Sequence, residues 1–135
     1  MGALKRLIRR FRAKPKPAAA QGTIEILRDG FTVSRPGRES YLLLWAEIET
    51  VVAFKLQLPL SDLINLGFHR RGEDDAYYRV HEDMTGFARL VRELNDHLPP
   101  ADAMWMFRLV QAGHDAEEIV LWRRPVRARV PQRVR

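Results

Sequence analysis

From Thr23 to His81 the apolar residues recur with a period of two, the spacing of half-buried strands. Ile24 and Ile26 alternate with Glu25, Asp29-Gly30 is a tight-turn signal, and Phe31-Thr32-Val33 completes a predicted hairpin. A second turn at Arg35-Pro36-Gly37-Arg38 leads into Tyr41 to Trp45. Ile48, Thr50, Val52, Phe54 and Leu56 then alternate with Glu47, Glu49 and Lys55, which predicts a strand with the first set turned to the core. Ile64, Leu66 and Phe68 share one face of a strand over Asp62 to Phe68, Arg70 to Asp75 is a polar loop, and Tyr77 to His81 returns as another strand. The pattern predicts an antiparallel meander.

After His81 the period lengthens. Phe87, Leu90, Val91, Leu94 and Leu98 fall at i, i+3, i+4, i+7 and i+11, predicting an amphipathic helix capped by Asp83 and stopped by Pro99-Pro100. Between residues 102 and 111 the apolar positions are nearly continuous and satisfy both periods, so helix and strand stay open there. Glu118 to Trp122 reads as a last strand. The expected fold class is α+β: an antiparallel sheet of six to seven strands covered by an amphipathic helix, with a separate N-terminal basic amphipathic helix.

That N-terminal helix comes from a third pattern. Leu4, Leu7, Ile8 and Phe11 gather into one narrow stripe, and Lys5, Arg6, Arg9, Arg10 and Arg12 cover the remaining surface. Pro15 ends the helix through the steric bias against helical geometry at a pre-proline residue. The expected organisation is therefore a basic helix over 1–14, a Pro/Ala linker over 15–22, one α+β domain over 23–122 and a basic tail over 123–135. The 135-residue chain has room for one such core, and its 46% hydrophobic and 30% charged residues are those of a folded domain.

Charge sharpens this division. The two ends hold 13 of the 23 Lys and Arg and no acid, while the other 10 face all 17 Asp and Glu, so a body of −7 carries basic arms and the net charge is +6. The tail contributes Arg123, Arg124, Arg127, Arg129, Arg133 and Arg135, and its two prolines favour an extended segment over a helix. There is no cysteine, which removes disulfides and thiolate chemistry, and no apolar run is long enough to span a bilayer. A cytoplasmic location, with peripheral membrane association, is the expectation; an Arg-rich organellar presequence reads similarly.

Chemistry-bearing clusters have structural explanations. Glu47 and Glu49 sit on a solvent face, Asp74 and Asp75 in a polar loop, and Glu82 and Asp83 beside the positive end of a helix. His69, His81, His97 and His114 lack the short-range spacing of a zinc site, and no glycine fingerprint cradles phosphate. No catalytic residue, metal or cofactor is expected. Tyr77, Arg79 and His81 on one strand face form the most plausible polar patch, and an enzyme would need His81, Tyr77 and Glu82 in a shared pocket. Trp45, Tyr77, Tyr78, Trp105 and Trp122 are read as core before they are read as base-stacking groups.

The strand order with a late helix, and the run Trp45-Ala46-Glu47-Ile48 followed by Val51-Val52-Ala53-Phe54-Lys55, resembles small bacterial domains with a pleckstrin-homology-like sheet over residues 23–98. The resemblance implies a binding module for lipids or peptides; the segment after Pro100 departs from that plan. The expected function is a non-enzymatic domain associating with an anionic membrane surface, or with an acidic protein partner, through residues 4–12. Each stripe residue contributes about 1 kcal/mol in a headgroup region, and each nearby basic residue about as much on an anionic leaflet. The alternative is a nucleic-acid-associated protein using both arms as electrostatic tethers, which has no need of the apolar stripe. The helix has a further option, burying its stripe against its own domain or another subunit.

Overall fold

The meander predicted between Thr23 and His81 is cut in two at Trp45. A computed structural model describes residues 21–57, 62–73, 77–112 and 118–126. The predicted helix over 1–14 lies outside the described residues, as do most of the linker and residues 127–135. The strands are β1 (Thr23–Ile26), β2 (Gly30–Ser34), β3 (Tyr41–Leu44), β4 (Ile48–Gln57), β5 (Asp62–Arg70), β6 (Tyr77–His81) and β7 (Ile119–Arg123). The helices are α1 (Phe87–His97) and α2 (Trp105–Gln111), and a short 3-10 turn, Trp45–Glu47, separates β3 from β4. Instead of one sheet of six to seven strands there are two antiparallel sheets, ordered β1-β2-β3 and β6-β5-β4-β7.

The break at Trp45 is held by one local and several long-range hydrogen bonds. The 3-10 turn ends the β3 ladder, and the outward-facing backbone groups of β3 are taken up by side chains. The Leu44 N–H donates to Glu47 Oε1 at 3.1 Å, and Arg70 Nη2 donates to the Leu42 carbonyl at 2.6 Å. Arg124 completes the corner, with Nη2 donating to the Trp45 and Ile48 carbonyls at 3.0 and 2.7 Å. These contacts satisfy groups that a continuous ladder would otherwise have paired. Arg124 is thus part of the corner rather than a free charge of the tail, and its guanidinium lies 4.9 Å from the Trp122 ring.

The two sheets face each other across one core. Phe31 from the first meets Trp45 at 5.3 Å and Phe68 from the second at 5.0 Å between ring centroids. Ile64, Leu66 and Phe68 point inward as their spacing predicts. β4 does not follow its predicted phase, because a bulge between Ile48 and Thr50 shifts the register. Ile48 is inward, then Val51 and Ala53 are, and Val52, Phe54 and Leu56 turn to the opposite face. Lys55 consequently lies in phase with the core positions, its side chain 5% exposed and paired with Asp62 at 3.5 Å.

The helices close the structure on the core side. Phe87, Leu90, Leu94 and Leu98 are buried as predicted, and His97 stacks on Trp45 at 4.5 Å with the rings 7° from parallel. Asp83 does not cap this helix; α1 begins at Phe87 with Gly86 as its N-cap and no side-chain cap. The preceding segment serves instead to seal the edge of β1, with Ile24 N–H donating to Thr85 O at 2.7 Å and Thr85 N–H to Gly22 O at 3.0 Å. The ambiguous stretch is helical: Trp105 and Leu109, four residues apart, are its buried side chains. Asp102 fixes its start by accepting from Met104 N–H at 2.9 Å and from Arg108 Nε at 2.5 Å. β7 then pairs with the free edge of β4.

Two substitutions test this account by urea unfolding. Gly86 sits at φ 93°, and a Cβ there would lie 2.2 Å from the Ile24 carbonyl oxygen, so Gly86→Ala should destabilise by about 2 kcal/mol or more. Arg124→Ala should cost about 2–3 kcal/mol through the orphaned corner carbonyls, and Arg124→Lys should recover less than half of that loss.

Candidate anion-binding groove

Three arginines converge where the first sheet's second turn meets the edge of the second sheet. Along β6, Tyr78 and Val80 pair in register with Phe68 and Leu66 on the core face, which leaves Tyr77, Arg79 and His81 on the other, opposite His69, Gly67 and Asn65. Pro36-Gly37 turns the chain between β2 and β3, with Arg38 N–H donating to Arg35 O at 3.1 Å and Gly37 at φ 74°. This delivers Arg35 and Arg38 to β6, where an Arg35 Nη2–H donates to the Arg79 carbonyl and also lies 3.9 Å from Met84 Sδ. Arg35 thereby satisfies an edge carbonyl of β6 and holds the two sheets together at this end.

Two cavities flank that contact. One, of about 400 Å³, is lined by Val33, Tyr41, Tyr77, Tyr78 and Glu39, and the other, of about 300 Å³, by Gln21, Pro36, Leu56, Leu63, Asn65 and His81. Arg35, Arg38 and Arg79 border both, and Glu39 is the sole acid in either lining. Among the described residues no ion pair engages Arg38 or Arg79. The groove is therefore cationic, with planar donors suited to carboxylate or phosphate oxygens. The Tyr41 hydroxyl is buried with no hydrogen-bond partner; burial pushes its pKa up to about 12, against the opposing pull of the Arg35 charge.

A second polar cluster stands beside the groove and is closed. The Tyr78 hydroxyl donates to Glu73 Oε1 at 2.6 Å, and Arg70 Nη1 lies 3.2 Å from both the Tyr78 hydroxyl and Glu73 Oε2. The Tyr78 hydrogen bond, ahead of the Arg70 contacts, holds the Glu73 carboxyl below its usual range, and the same bond raises Tyr78. The His69 Nε2–H donates to the Glu73 carbonyl, and Arg70 Nε lies 3.7 Å from Glu47 Oε1. These groups are occupied with one another and tie the β5–β6 loop to the sheet corner.

The residues singled out from sequence distribute unevenly. Leu4, Lys5, Arg6, Leu7, Ile8, Arg9, Arg10, Phe11 and Arg12 lie outside the described residues, as do Arg127, Arg129, Arg133 and Arg135. Arg123 is exposed at the end of β7 and Arg124 builds the corner. Tyr77, Arg79 and His81 do share a face, but Tyr77 and His81 border different cavities and Glu82 lines neither. Glu82 is 2% exposed, with Oε1 accepting the Ile64 N–H at 3.4 Å, and His81 Nδ1 accepts the Asp83 N–H at 3.3 Å. Glu47 and Glu49 pair with Arg70 and Arg71 at 3.7 and 3.6 Å. Sequence reasoning missed Arg35, Arg38 and Tyr41; a Pro-Gly turn bracketed by arginines was visible, but not the strand it would face. Among the described residues no group of three His, Asp or Glu side chains is placed to hold a metal ion.

No family model, curated protein or solved structure matches the chain.

The Tyr41 environment makes a pH-dependent prediction. The unfolded chain ionises this phenol near 10, whereas the folded protein keeps it protonated to about 12, so its contribution is present below pH 10 and is lost as pH rises toward 12. Unfolding free energy should fall across that window in urea titrations. Tyr41→Phe should flatten the decline, leaving the smaller share that Tyr78, also raised, contributes.

Proposed function

We propose that the chain is a non-enzymatic binding domain that associates with an anionic membrane surface, or with an acidic partner at such a surface, through its basic N-terminal helix. The supporting observation is the cationic cavity beside Gln21, the first described residue. Gln21, where the arm reaches the domain, lines a cavity with Arg35, Arg38 and Arg79, so a surface that attracts residues 5–12 meets a second cationic site immediately beyond. The apolar stripe of Leu4, Leu7, Ile8 and Phe11 adds a requirement that charge alone does not, and it separates a lipid or protein surface from nucleic acid. No helix among the described residues is long and apolar enough to cross a membrane, and binding at the interface does not require one. The likeness to pleckstrin-homology-like binding modules points in the same direction, as analogy.

Sedimentation with vesicles of mixed neutral and anionic phospholipid tests the reading. The full chain should cosediment, Leu7→Ser/Ile8→Ser/Phe11→Ser should abolish binding with the charge intact, and Arg38→Gln/Arg79→Gln should weaken it by about fivefold or more per charge. Unchanged binding by the triple variant would overturn the lipid reading. Retained, strongly salt-dependent binding of the triple variant to duplex DNA, without vesicle binding by the wild type, would favour the nucleic-acid alternative.

A further inference from the structure

On the side of the second sheet turned away from the core, an apolar strip along β4 and β7 lies beside Tyr77, Arg79 and His81 of β6. The bulge in β4 places Val52, Phe54 and Leu56 there, and the register sets them opposite Gly67, Asn65 and Leu63, with Val120 of β7 beside Val52. Val52 and Leu63 are 1% and 7% exposed, whereas Leu56 and Val120 at the rim are 40% and 41% exposed. The buried side chains of α1 and α2 belong to the core cluster on the opposite face, so neither helix supplies the cover.

We infer that this face is the docking site of the chain's own N-terminal helix, with Leu4, Leu7, Ile8 and Phe11 against Val52, Leu56, Leu63 and Val120. The chain reaches the domain at the right place, because Gln21 lines the same cavity as Leu56, Leu63 and Asn65. The reach is sufficient: the ten residues from Phe11 to Gln21 span between about 15 Å as a helix and about 33 Å extended, against a four-stranded sheet roughly 15 Å across. The sizes also match, since residues 4–11 as a helix are about 12 Å long. Within the chain an apolar stripe and the apolar strip of the sheet are thereby paired, and the narrowness of the stripe leaves Lys5, Arg6, Arg9, Arg10 and Arg12 pointing outward.

The regulatory consequence rests on the membrane reading proposed above. The docked helix buries the four side chains that insertion requires, so docking and insertion exclude each other, while the outward basic residues remain available to sense an anionic surface. Membrane contact then competes the helix off the sheet.

Methyl NMR of the full-length protein tests the docking directly. Relative to wild type, Leu7→Ser/Ile8→Ser/Phe11→Ser should shift the methyl signals of Val52, Leu56, Leu63 and Val120 and leave those of the core residues Leu43 and Leu121 in place. Unshifted Val52, Leu56 and Leu63 signals overturn the docking. Leu56→Ser/Val120→Ser, both at the exposed rim, should raise affinity for anionic vesicles by about tenfold by freeing the helix. Shifted methyls with no gain in vesicle affinity sustain the docking and overturn its regulatory role. If the wild type and the rim variant both fail to bind vesicles, the membrane reading falls and the methyl shifts alone decide the docking.

Discussion

The corner at Trp45–Glu47 is the constraint on which the arrangement of both sheets depends. A chain leaving one sheet for another must strip several amides and carbonyls of ladder partners, and burying them unpaired costs more than any single contact nearby returns. Here Glu47, Arg70 and Arg124 take those positions, each from a different part of the chain. Arg124 comes from the end of the described structure, so the corner is completed only when β7 has docked on β4. The aromatic side chains do the apolar half of the same task, as Trp45 lies between Phe31 and His97.

The opposite end of the molecule is closed by different means. Backbone hydrogen bonds from the Thr85 segment cover the edge of β1, and the Arg35 guanidinium covers a carbonyl on the edge of β6. Both devices protect strand edges that would otherwise template association with another chain. Using an arginine for this purpose has an electrostatic consequence. It brings Arg35 and Arg38 beside Arg79, and the cationic groove is a product of the way the sheets are joined.

Several acidic residues help to hold the fold. Glu47, Glu49, Glu73, Asp62 and Asp102 are each engaged with a basic side chain, and among the described residues the arginines of the groove have no equivalent partner. Arg35, Arg38 and Arg79 gather beside Gln21, the first described residue.

Hydrophobic period alone determined that the chain between Thr23 and His81 is built from strands, that a helix follows from Phe87 and that Ile64, Leu66 and Phe68 face the core, because each depends on side chains a few residues apart. The basic stripe and the acid-free ends were legible for the same reason. Tertiary structure decided what local spacing cannot encode. The bulge after Ile48 reversed the phase of β4, turning Val52, Phe54 and Leu56 outward and Lys55 toward the core. Trp105 to Gln111 fits either period and is a helix because Trp105 and Leu109 reach the core together. The division into two sheets and the meeting of Arg35, Arg38 and Arg79 both arise from contacts tens of residues apart in sequence. Such contacts form only once the chain has turned its corner.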